Sequence, residues 1–260
     1  MTSPRQKLKS GKPLIGSWIN TGSPIVAELM AQFGFDFLCV DAEHSAVDLP
    51  QAQQIFQAIQ SGNPNCAQFV RLHGVDYAFA KRYLDAGARG IIGPLVTTRE
   101  EAELLVQATK YPPLGKRGVG FCRANQYGTN LQTEFDRANE EGVVAVQIED
   151  IKAVENIDNI LSVKGIDAAF IGPYDLSASM GLTAQFDHPD YIEARDRILE
   201  ACKSNNVAAG IHVVKPDSDE LLARISEGYR LVAFSLDITI LTDSLQKNMS
   251  KIHNAIDSLA

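Results

Sequence analysis

Short apolar runs alternate with amphipathic stretches along the whole chain. The runs are almost continuously apolar, a pattern typical of parallel strands that are buried on both faces. They predict eight strands, at residues 14–19, 37–40, 67–70, 90–94, 143–148, 168–171, 208–212 and 231–236. Because a helical stretch follows each strand, the chain repeats a strand–helix unit from end to end.

Helices are predicted between these strands from apolar periodicity and from capping residues. Ser23 with Pro24 is typical of a helix start, and Thr98 with Glu101 has the pattern of a capping box. The predicted helices cover residues 25–33, 48–60, 76–85, 98–109, 131–139, 153–161, 189–205, 216–227 and 239–259, with one short turn at 3–10. Residues 111–128 and 173–187 are predicted to be loops, and a loop as long as the first is usually functional.

This alternation fits either a doubly wound sheet or a TIM barrel. Eight units within 260 residues favour the barrel, because about 250 residues are enough to build one. We therefore predict an α/β protein that consists of a single (β/α)8 TIM-barrel domain over residues 1–260. In such a barrel the active site lies at the carboxyl ends of the strands, which is where candidate chemistry should be sought.

Charge and composition narrow the class of partner. The net charge of −8 argues against a nucleic-acid or membrane-surface partner, since either would select a basic patch. The four cysteines, Cys39, Cys66, Cys122 and Cys202, have no CxxC spacing and are expected to be reduced and buried. The amino-terminal segment has no apolar signal core, and no apolar run reaches membrane-spanning length. These features predict a soluble, cytoplasmic protein that acts on a small molecule.

Two predicted strands end in a carboxylate. Glu149 follows the strand at 143–148, and Asp175 follows the strand at 168–171 after Gly172-Pro173, a pair that cannot continue a sheet ladder. Two neighbouring acids of this kind suit Mg, Mn or Co, which prefer oxygen ligands. Gln147 would face the same side as Glu149 and could orient a ligand. A purely structural alternative for Glu149 is an acid that stabilises a helix N-terminus.

Other strand ends carry residues suited to acid–base and anion chemistry. His44 is the best candidate for a general base, with Asp41 and Glu43 nearby in sequence and Asp85 expected across the rim to fix its tautomer. Arg71 offers a planar fork for a carboxylate or an enolate oxygen, although an ion pair with a neighbouring acid is the alternative. Each such residue could also simply anchor a loop.

Three further residues are candidates for the substrate-binding rim, and one glycine-rich segment needs an interpretation. Trp18 and His212 end the first and seventh predicted strands, and Tyr174 lies between Pro173 and Asp175. Gly115 to Gly120 superficially resembles a phosphate-binding loop but lacks the GxxxxGK[ST] spacing and the strand–glycine–helix context. A lid or a subunit contact is the better interpretation of that segment.

Taken together, these motifs resemble the metal-dependent (class II) pyruvate aldolases of the 4-hydroxy-2-oxoheptanedioate / 2-dehydro-3-deoxyglucarate aldolase family. The resemblance extends from about residue 8 to residue 255. Its motifs occur in the family's order: Val40-Asp41-Ala42-Glu43-His44, Val70-Arg71, Gly118-Val119-Gly120 with Arg123, Val146-Gln147-Ile148-Glu149, and Phe170-Ile171-Gly172-Pro173-x-Asp175-Leu176-Ser177.

The resemblance implies a divalent metal held by Glu149 and Asp175 and chelated by pyruvate. It also implies that the backbone N–H groups of Tyr174 and Asp175 receive the pyruvate carboxylate. Arg71 would stabilise the enolate, and His44 paired with Asp85 would exchange protons through a metal-bound water. The expected assembly is a homo-hexamer in which the last helix is exchanged between subunits.

Two residues depart from the pattern expected of close relatives. Tyr174 stands where a small residue or Asn is usual, and His212 stands where an apolar residue is expected. Both lie where substrate would bind, and both leave the identity of the acceptor aldehyde open.

The leading functional hypothesis is reversible retro-aldol cleavage of a 4-hydroxy-2-oxo acid to pyruvate and an aldehyde. A related lyase or decarboxylase that forms the same enolate, for example from oxaloacetate, is the first alternative. A non-catalytic barrel that binds an oxo acid is the second alternative, but it would be expected to lack Arg71, His44 or one of the metal acids.

Overall fold

Eight parallel strands close into a barrel in the computed structural model, which describes residues 2–259. Each strand pairs with its neighbours in chain order, and β1 pairs with β8 to close the sheet. The strands are β1 Leu14–Ile19, β2 Phe37–Asp41, β3 Ala67–Arg71, β4 Gly90–Gly93, β5 Val143–Ile148, β6 Ala168–Ile171, β7 Ala208–Val213 and β8 Leu231–Leu236. The predicted TIM barrel is thereby confirmed.

Helices follow the strands and form the outer layer. They are α1 Pro4–Lys9, α2 Pro24–Ala31, α3 Leu49–Gly62, α4 Tyr77–Ala86, α5 Arg99–Thr109, α6 Leu131–Glu141, α7 Ile151–Glu155, α8 Ile157–Leu161, α9 Pro173–Ser179, α10 Pro189–Asn205, α11 Ser218–Glu227 and α12 Asp237–Asp257, with a 3₁₀ segment at Arg123–Gly128. Within residues 2–259, no helix combines the length and the apolar character needed to cross a membrane.

The core has two parts because strand side chains alternate between the barrel interior and the helical layer. The interior contains a stack of aromatic rings, in which Phe37 and Phe69 lie 4.7 Å apart and Trp18 meets Phe170 edge-on at 5.7 Å. The larger part lies between the strands and the helices and consists mainly of Ile, Val, Leu and Ala. This packing holds the strand ends, and so the rim, in fixed positions.

Several predicted boundaries are wrong, including the following three. The helix expected at 153–161 is two short helices that meet at Asn156, where the backbone leaves helical geometry (φ −102°, ψ 12°). The loop expected at 173–187 begins with α9, because Pro173 is well suited to the first position of a helix. The last helix begins at Asp237 rather than at residue 239, and it ends at Asp257.

The last helix, α12, hardly packs on its own barrel. It spans 21 residues, yet Asp237 is its only buried residue. Its contacts within the chain are mainly with β1 and β8, where it begins. Its apolar residues Leu241, Leu245, Met249 and Ile256 are between 44% and 58% exposed. A helix with this much exposed apolar surface is typical of a helix that packs on another molecule.

Candidate active site at the carboxyl rim of the barrel

The predicted site residues except Asp85 come from the carboxyl ends of the strands or from the turns that follow them. Trp18 is on β1, Arg71 ends β3, Gln147 is on β5 with Glu149 just beyond it, and His212 is on β7. His44 lies in the turn after β2, and Tyr174 and Asp175 lie in the first turn of α9 after β6. Parallel strands bring these ends to a single rim, as the topology requires.

Arg71 and Asp41 form the central ion pair of this rim. They are register partners on neighbouring strands, and Asp41 accepts two hydrogen bonds from the guanidinium, from Nε at 2.9 Å and from Nη2 at 2.6 Å. Burial alone would raise the pKa of Asp41, but the bonds to Arg71 and the amide of Asn20 hold that pKa below its ordinary value. The pair therefore stays ionised and fixes the guanidinium plane.

The remaining surroundings of Arg71 also fix its position. Its guanidinium carbon lies 4.7 Å from the centre of the Trp18 ring, a cation–π contact. Its Nε lies 3.3 Å from Oε2 of Glu43. The carboxylate of Glu43 has its pKa raised by burial and by the nearby negative charges of Asp41 and Asp175, which outweigh the effect of Arg71 and His44. Glu43 is therefore a second candidate for proton transfer.

His44 is held through its backbone, not through its ring. Its amide N–H donates to Asp41 Oδ1 at 3.2 Å, while its side chain is 63% exposed and Nε2 lies 3.7 Å from Glu43 Oε2. The nearest carboxylate to its ring in the ion pairs of residues 2–259 is thus Glu43. An exposed imidazole above a rim can reach a substrate, so the geometry is compatible with an acid–base role.

Asp85 does not lie at this rim. It sits on the last turn of α4, and its carboxylate accepts a hydrogen bond from Arg117 Nη2 at 2.8 Å. The expected pairing with His44 across the rim is wrong within one chain, because α4 runs back from the rim toward the start of β4. A catalytic role for Asp85 stays a prediction.

Glu149 is buried and pointed inward by its neighbours. Its Oε1 accepts a hydrogen bond from the backbone N–H of Leu95 at 2.7 Å, and its Oε2 accepts one from Gln147 Nε2. A methyl group at Gly172 would lie only 2.6 Å from Glu149 Oε2, so the absence of a side chain there makes room for the carboxylate. Burial raises the pKa of Glu149, and the charges of Glu43 and Asp175 raise it further.

Asp175 and Tyr174 stand in the first turn of α9, and both are exposed toward solvent. Pro173 has no N–H, and the first intrahelical bond runs from Leu176 to Gly172. The backbone N–H groups of Tyr174 and Asp175 therefore have no helical acceptor, as is general for a first turn. The Tyr174 ring meets Phe186 edge-on at 5.1 Å.

These residues fit a divalent metal by their chemistry. The carboxylate of Asp175 is close enough to Glu43 and Glu149 to raise the pKa values of both, and the buried Oε1 of Gln147 has no hydrogen-bond partner within residues 2–259. A hard cation would offset this concentration of negative charge and accept oxygen donors. No set of three or more His, Cys, Asp or Glu side chains with ready-made metal spacing occurs among residues 2–259.

His212 lies beneath the rim beside Trp18, with ring centres 5.7 Å apart. Its Nε2 is 3.2 Å from the carbonyl oxygen of Ser235, which requires the proton on Nε2. Burial, aided by the positive charge of Arg71, lowers the pKa of His212 to about 4. His212 is thus uncharged at neutral pH, and it packs against Trp18 at the floor of the site.

Sequence reasoning missed two features of this rim. Leu95 supplies its N–H to Glu149 from a left-handed conformation (φ 49°), which no local pattern indicated. Asp237, at the start of α12, accepts hydrogen bonds from the backbone N–H groups of Asn20 and Thr21 and so anchors the β1–α2 turn. Its position at the start of a long helix was the available signal for a structural role.

A closed barrel that presents an arginine and several acids at its carboxyl rim defines an enzyme of the (β/α)8 class. The sequence profile of the HpcH/HpaI aldolase/citrate lyase family matches residues 14–244, and the chain belongs to this family. It is 37% identical, over 94% of its length and 90% of the relative's, to a hydroxypyruvate/pyruvate aldolase of Pseudomonas aeruginosa. It is 35% identical, over 95% of its length and 91% of the relative's, to a 2-keto-3-deoxy-L-rhamnonate aldolase of Salmonella gallinarum.

A solved structure of the same family has the same fold over nearly the whole chain. The crystal structure of an HpcH/HpaI aldolase/citrate lyase family protein from Burkholderia cenocepacia superposes with a TM-score of 0.91 at 32% identity, covering 97% of this chain and all of that one. The expected resemblance to class II pyruvate aldolases is confirmed, and so is the expectation of a carbon–carbon lyase.

Proposed function

We propose that this protein cleaves a 4-hydroxy-2-oxo acid reversibly to pyruvate and an aldehyde with the help of a divalent metal. The observation that carries the proposal is the meeting, at one rim, of Arg71 with the acids Glu43, Glu149 and Asp175. Mg, Mn and Co are all compatible with these oxygen donors. The names of the relatives favour a small hydroxylated aldehyde as the second product.

Glu149 and Asp175 would hold the metal. Glu149 is preorganised for this by the Leu95 N–H and by the space at Gly172, while the exposed Asp175 side chain, in the first turn of α9, makes no hydrogen bond or ion pair with residues 2–259. When bound, the metal would act as a Lewis acid that withdraws electrons from the oxo acid. Tyr174 and Asp175 would donate their backbone N–H groups to the carboxylate of the substrate.

Arg71 would stabilise the negative charge that develops on the keto oxygen when the carbon–carbon bond breaks. Asp41 occupies Nε and Nη2, so the guanidinium is locked in place and Nη1 is left for the substrate. A donor held in advance lowers the barrier because nothing has to reorganise during the reaction.

A base must remove the proton from the 4-hydroxyl group in cleavage and return it in the reverse reaction. We propose His44 for this role, since its ring is exposed above the rim and close to the carboxylate of Glu43. Asp85 is retained as its predicted partner, which would require the carboxylate to come from a second copy of the chain. Trp18 and His212 would form the floor beneath the substrate, and Gln147 would orient Glu149.

A homo-oligomer, with a hexamer as the expected form, belongs to the same proposal. The exposed apolar side of α12 supports exchange of this helix between copies of the chain. The face that would receive it is also exposed, since Ile25, Leu29 and Phe33 of the α2 region are 79%, 54% and 74% accessible. Two such apolar surfaces on one chain favour assembly with itself.

The decisive experiment is exchange of the C3 protons of pyruvate in deuterated water, followed by NMR. The protein is stripped of metal and then supplied with Mg, Mn or Co. We expect exchange only after metal is restored, and no exchange in Glu149→Gln or Asp175→Asn. Metal-independent exchange, or exchange that survives in either variant, would contradict the metal-assisted mechanism. Release of pyruvate from oxaloacetate but from no hydroxy-oxo acid would favour the decarboxylase alternative.

A further inference from the structure

A second polar cavity lies at the opposite end of the barrel from the catalytic rim. Its volume is about 670 Å³, which is within the range of small-molecule sites. It is enclosed by the last turn of α3, the end of α4, the 3₁₀ segment and α6, next to the starts of β3 and β4. We call it the basal cavity. None of the residues assigned to the aldolase chemistry lines it.

The charge of the basal cavity is positive although the protein as a whole is negative. Three arginines line it, Arg89, Arg123 and Arg137, against one acid, Glu134. Glu134 is already neutralised, because its carboxylate accepts hydrogen bonds from Arg137 Nε and Nη2, both at 2.8 Å, and lies 3.6 Å from Arg117 Nη1. The cavity therefore keeps an excess of positive charge that no carboxylate of its own lining balances.

Arg89 carries part of this excess. It is partly buried at the start of β4, and among residues 2–259 its guanidinium has no hydrogen-bond acceptor and no ion-pair partner. Burial lowers the pKa of Arg89, and the positive charges of Arg137 and Arg123 lower it further despite the opposing effect of Glu141 and Glu134. A partly buried arginine without a partner is costly unless an anion binds to it.

Arg123 is locked in place on the opposite wall. Its Nη1 donates to the carbonyl oxygen of Ala86 at 3.2 Å, and its Nη2 donates to Gln60 Oε1 at 2.6 Å. A methyl group at Gly87 would overlap Arg123 Nη1, and the left-handed backbone there (φ 118°) also favours glycine, so the lack of a side chain at Gly87 allows this approach. Such a preorganised guanidinium is typical of a binding residue.

Neutral hydrogen-bonding groups make up most of the remaining lining. They include the amides of Gln57, Gln60, Gln126 and Asn130 and the hydroxyl of Thr133. Amides both donate and accept, which matches the hydroxyl groups of a sugar-like body. The backbone of Gln126 and Tyr127 is left-handed (φ 53° and 58°), and this bend brings both residues to the cavity. A cavity of this size would leave most of its volume unused by inorganic phosphate alone.

We propose that the basal cavity binds a small metabolite that carries a phosphate or carboxylate group on a hydroxylated body. The anionic group would lie between Arg89 and Arg123, and the hydroxyl groups would bond to the amides. The cavity shares no lining residue with the aldolase rim of its own chain, so it is a candidate for control of the enzyme by a second molecule.

The test is calorimetric titration of the full-length protein with four probes: inorganic phosphate, glucose 6-phosphate, gluconate and glucose. We expect one site per chain for each anionic probe and none for glucose. Glucose 6-phosphate and gluconate should bind more tightly than inorganic phosphate, because their hydroxyl groups can also bond to the amides. Preference for glucose 6-phosphate over gluconate would identify a phosphate ligand, and the reverse would identify a carboxylate ligand. If no anionic probe binds, or if glucose binds equally well, the proposal is wrong.

Substitutions test whether the anion binds in the basal cavity. Arg89→Gln should weaken anion binding at least tenfold, while Arg197→Gln, the same change on α10 away from the cavity, should not alter it. Gln57→Glu places a negative charge on an exposed wall position and should also weaken binding, which provides a second readout if Arg89→Gln fails to fold. Arg71→Gln removes the arginine of the catalytic rim. Binding lost in Arg71→Gln but kept in Arg89→Gln would assign the anion to the active site and overturn the proposal.

Discussion

Arg71 and Asp41 face each other across β2 and β3 and share two hydrogen bonds of 2.9 and 2.6 Å. Both side chains are largely buried, at 13% and 2% exposure. Removing one partner of such a pair leaves a buried charge without compensation, which costs about 3–5 kcal/mol. We expect Asp41→Ala to lower the free energy of unfolding by about 3 kcal/mol, as measured by urea denaturation at pH 7.

A double variant separates the interaction energy of the Asp41–Arg71 pair from the contributions of their other neighbours. Asp41→Ala with Arg71→Ala should lose less stability than the sum of the two single changes, because neither charge is then left alone. The exposed pair Arg99–Glu103 provides a matched cycle with an expected coupling of about 0.3–0.5 kcal/mol. Equal coupling energies in the two cycles would contradict the central role of the Arg71–Asp41 pair.

Gly172 is expected to be essential for activity although it bears no functional group. In Gly172→Ala the new methyl carbon would lie 2.6 Å from Glu149 Oε2 and 3.1 Å from Gln147 Nε2. The carboxylate must then move, and a displacement of about 1 Å at a reacting centre costs about 100-fold in rate. Steady-state kinetics should show this loss with an unchanged circular dichroism spectrum. Gly74→Ala, where nothing lies within 4 Å of the added methyl group, serves as control.

His212 should make the protein sensitive to mild acid. Its pKa is about 4 in the folded chain against an ordinary value of 6.5, because burial disfavours the imidazolium. The unfolded chain therefore binds the proton first, and stability falls as the pH drops from 6.5 to 4, with no further loss below 4. We expect wild type to lose about 2 kcal/mol more than His212→Asn between pH 7 and pH 5. Urea denaturation of both proteins at the two pH values measures this; equal losses would refute it.

Lys110 should also make the stability of the fold increase with pH, in a higher pH range than His212. Its ammonium group is buried and donates to the carbonyl oxygens of Ala138 and Gly142 at 2.9 and 2.7 Å. Burial, together with the positive charge of Arg5, lowers its pKa from 10.5 to about 7. Because the unfolded chain holds its proton up to about pH 10.5, stability should rise with pH between 7 and 10.5.

The Lys110→Met variant isolates the contribution of Lys110 to the pH dependence of stability. Between pH 7 and pH 9, wild type should gain about 2 kcal/mol of stability relative to the variant. Comparison with the variant cancels the titration of other groups, including the buried thiols Cys66 and Cys202, whose pKa values are raised to about 12 by burial. A variant that tracks wild type over this range would show that Lys110 keeps an ordinary pKa.

Much of the fold could be predicted because its signals are local. A strand buried on both faces must be apolar along its whole length, so the eight strands were visible as runs, and four of them, at 14–19, 143–148, 168–171 and 231–236, were predicted with the observed bounds. The rim residues were visible because a polar side chain directly after such a run can only lie at the strand end. Glu149, Arg71 and Asp175 were found in this way.

The contacts that complete the site join residues far apart in the chain, and only the folded chain decides them. Leu95 and Glu149 are 54 residues apart, and Asp85 meets Arg117 rather than His44 because the position of a helix end depends on the packing of its whole length. The same holds for the basal cavity, where helical segments far apart in the chain bring three arginines together. Burial against distant neighbours, which also sets the pKa values of His212 and Lys110, leaves no local trace in the sequence.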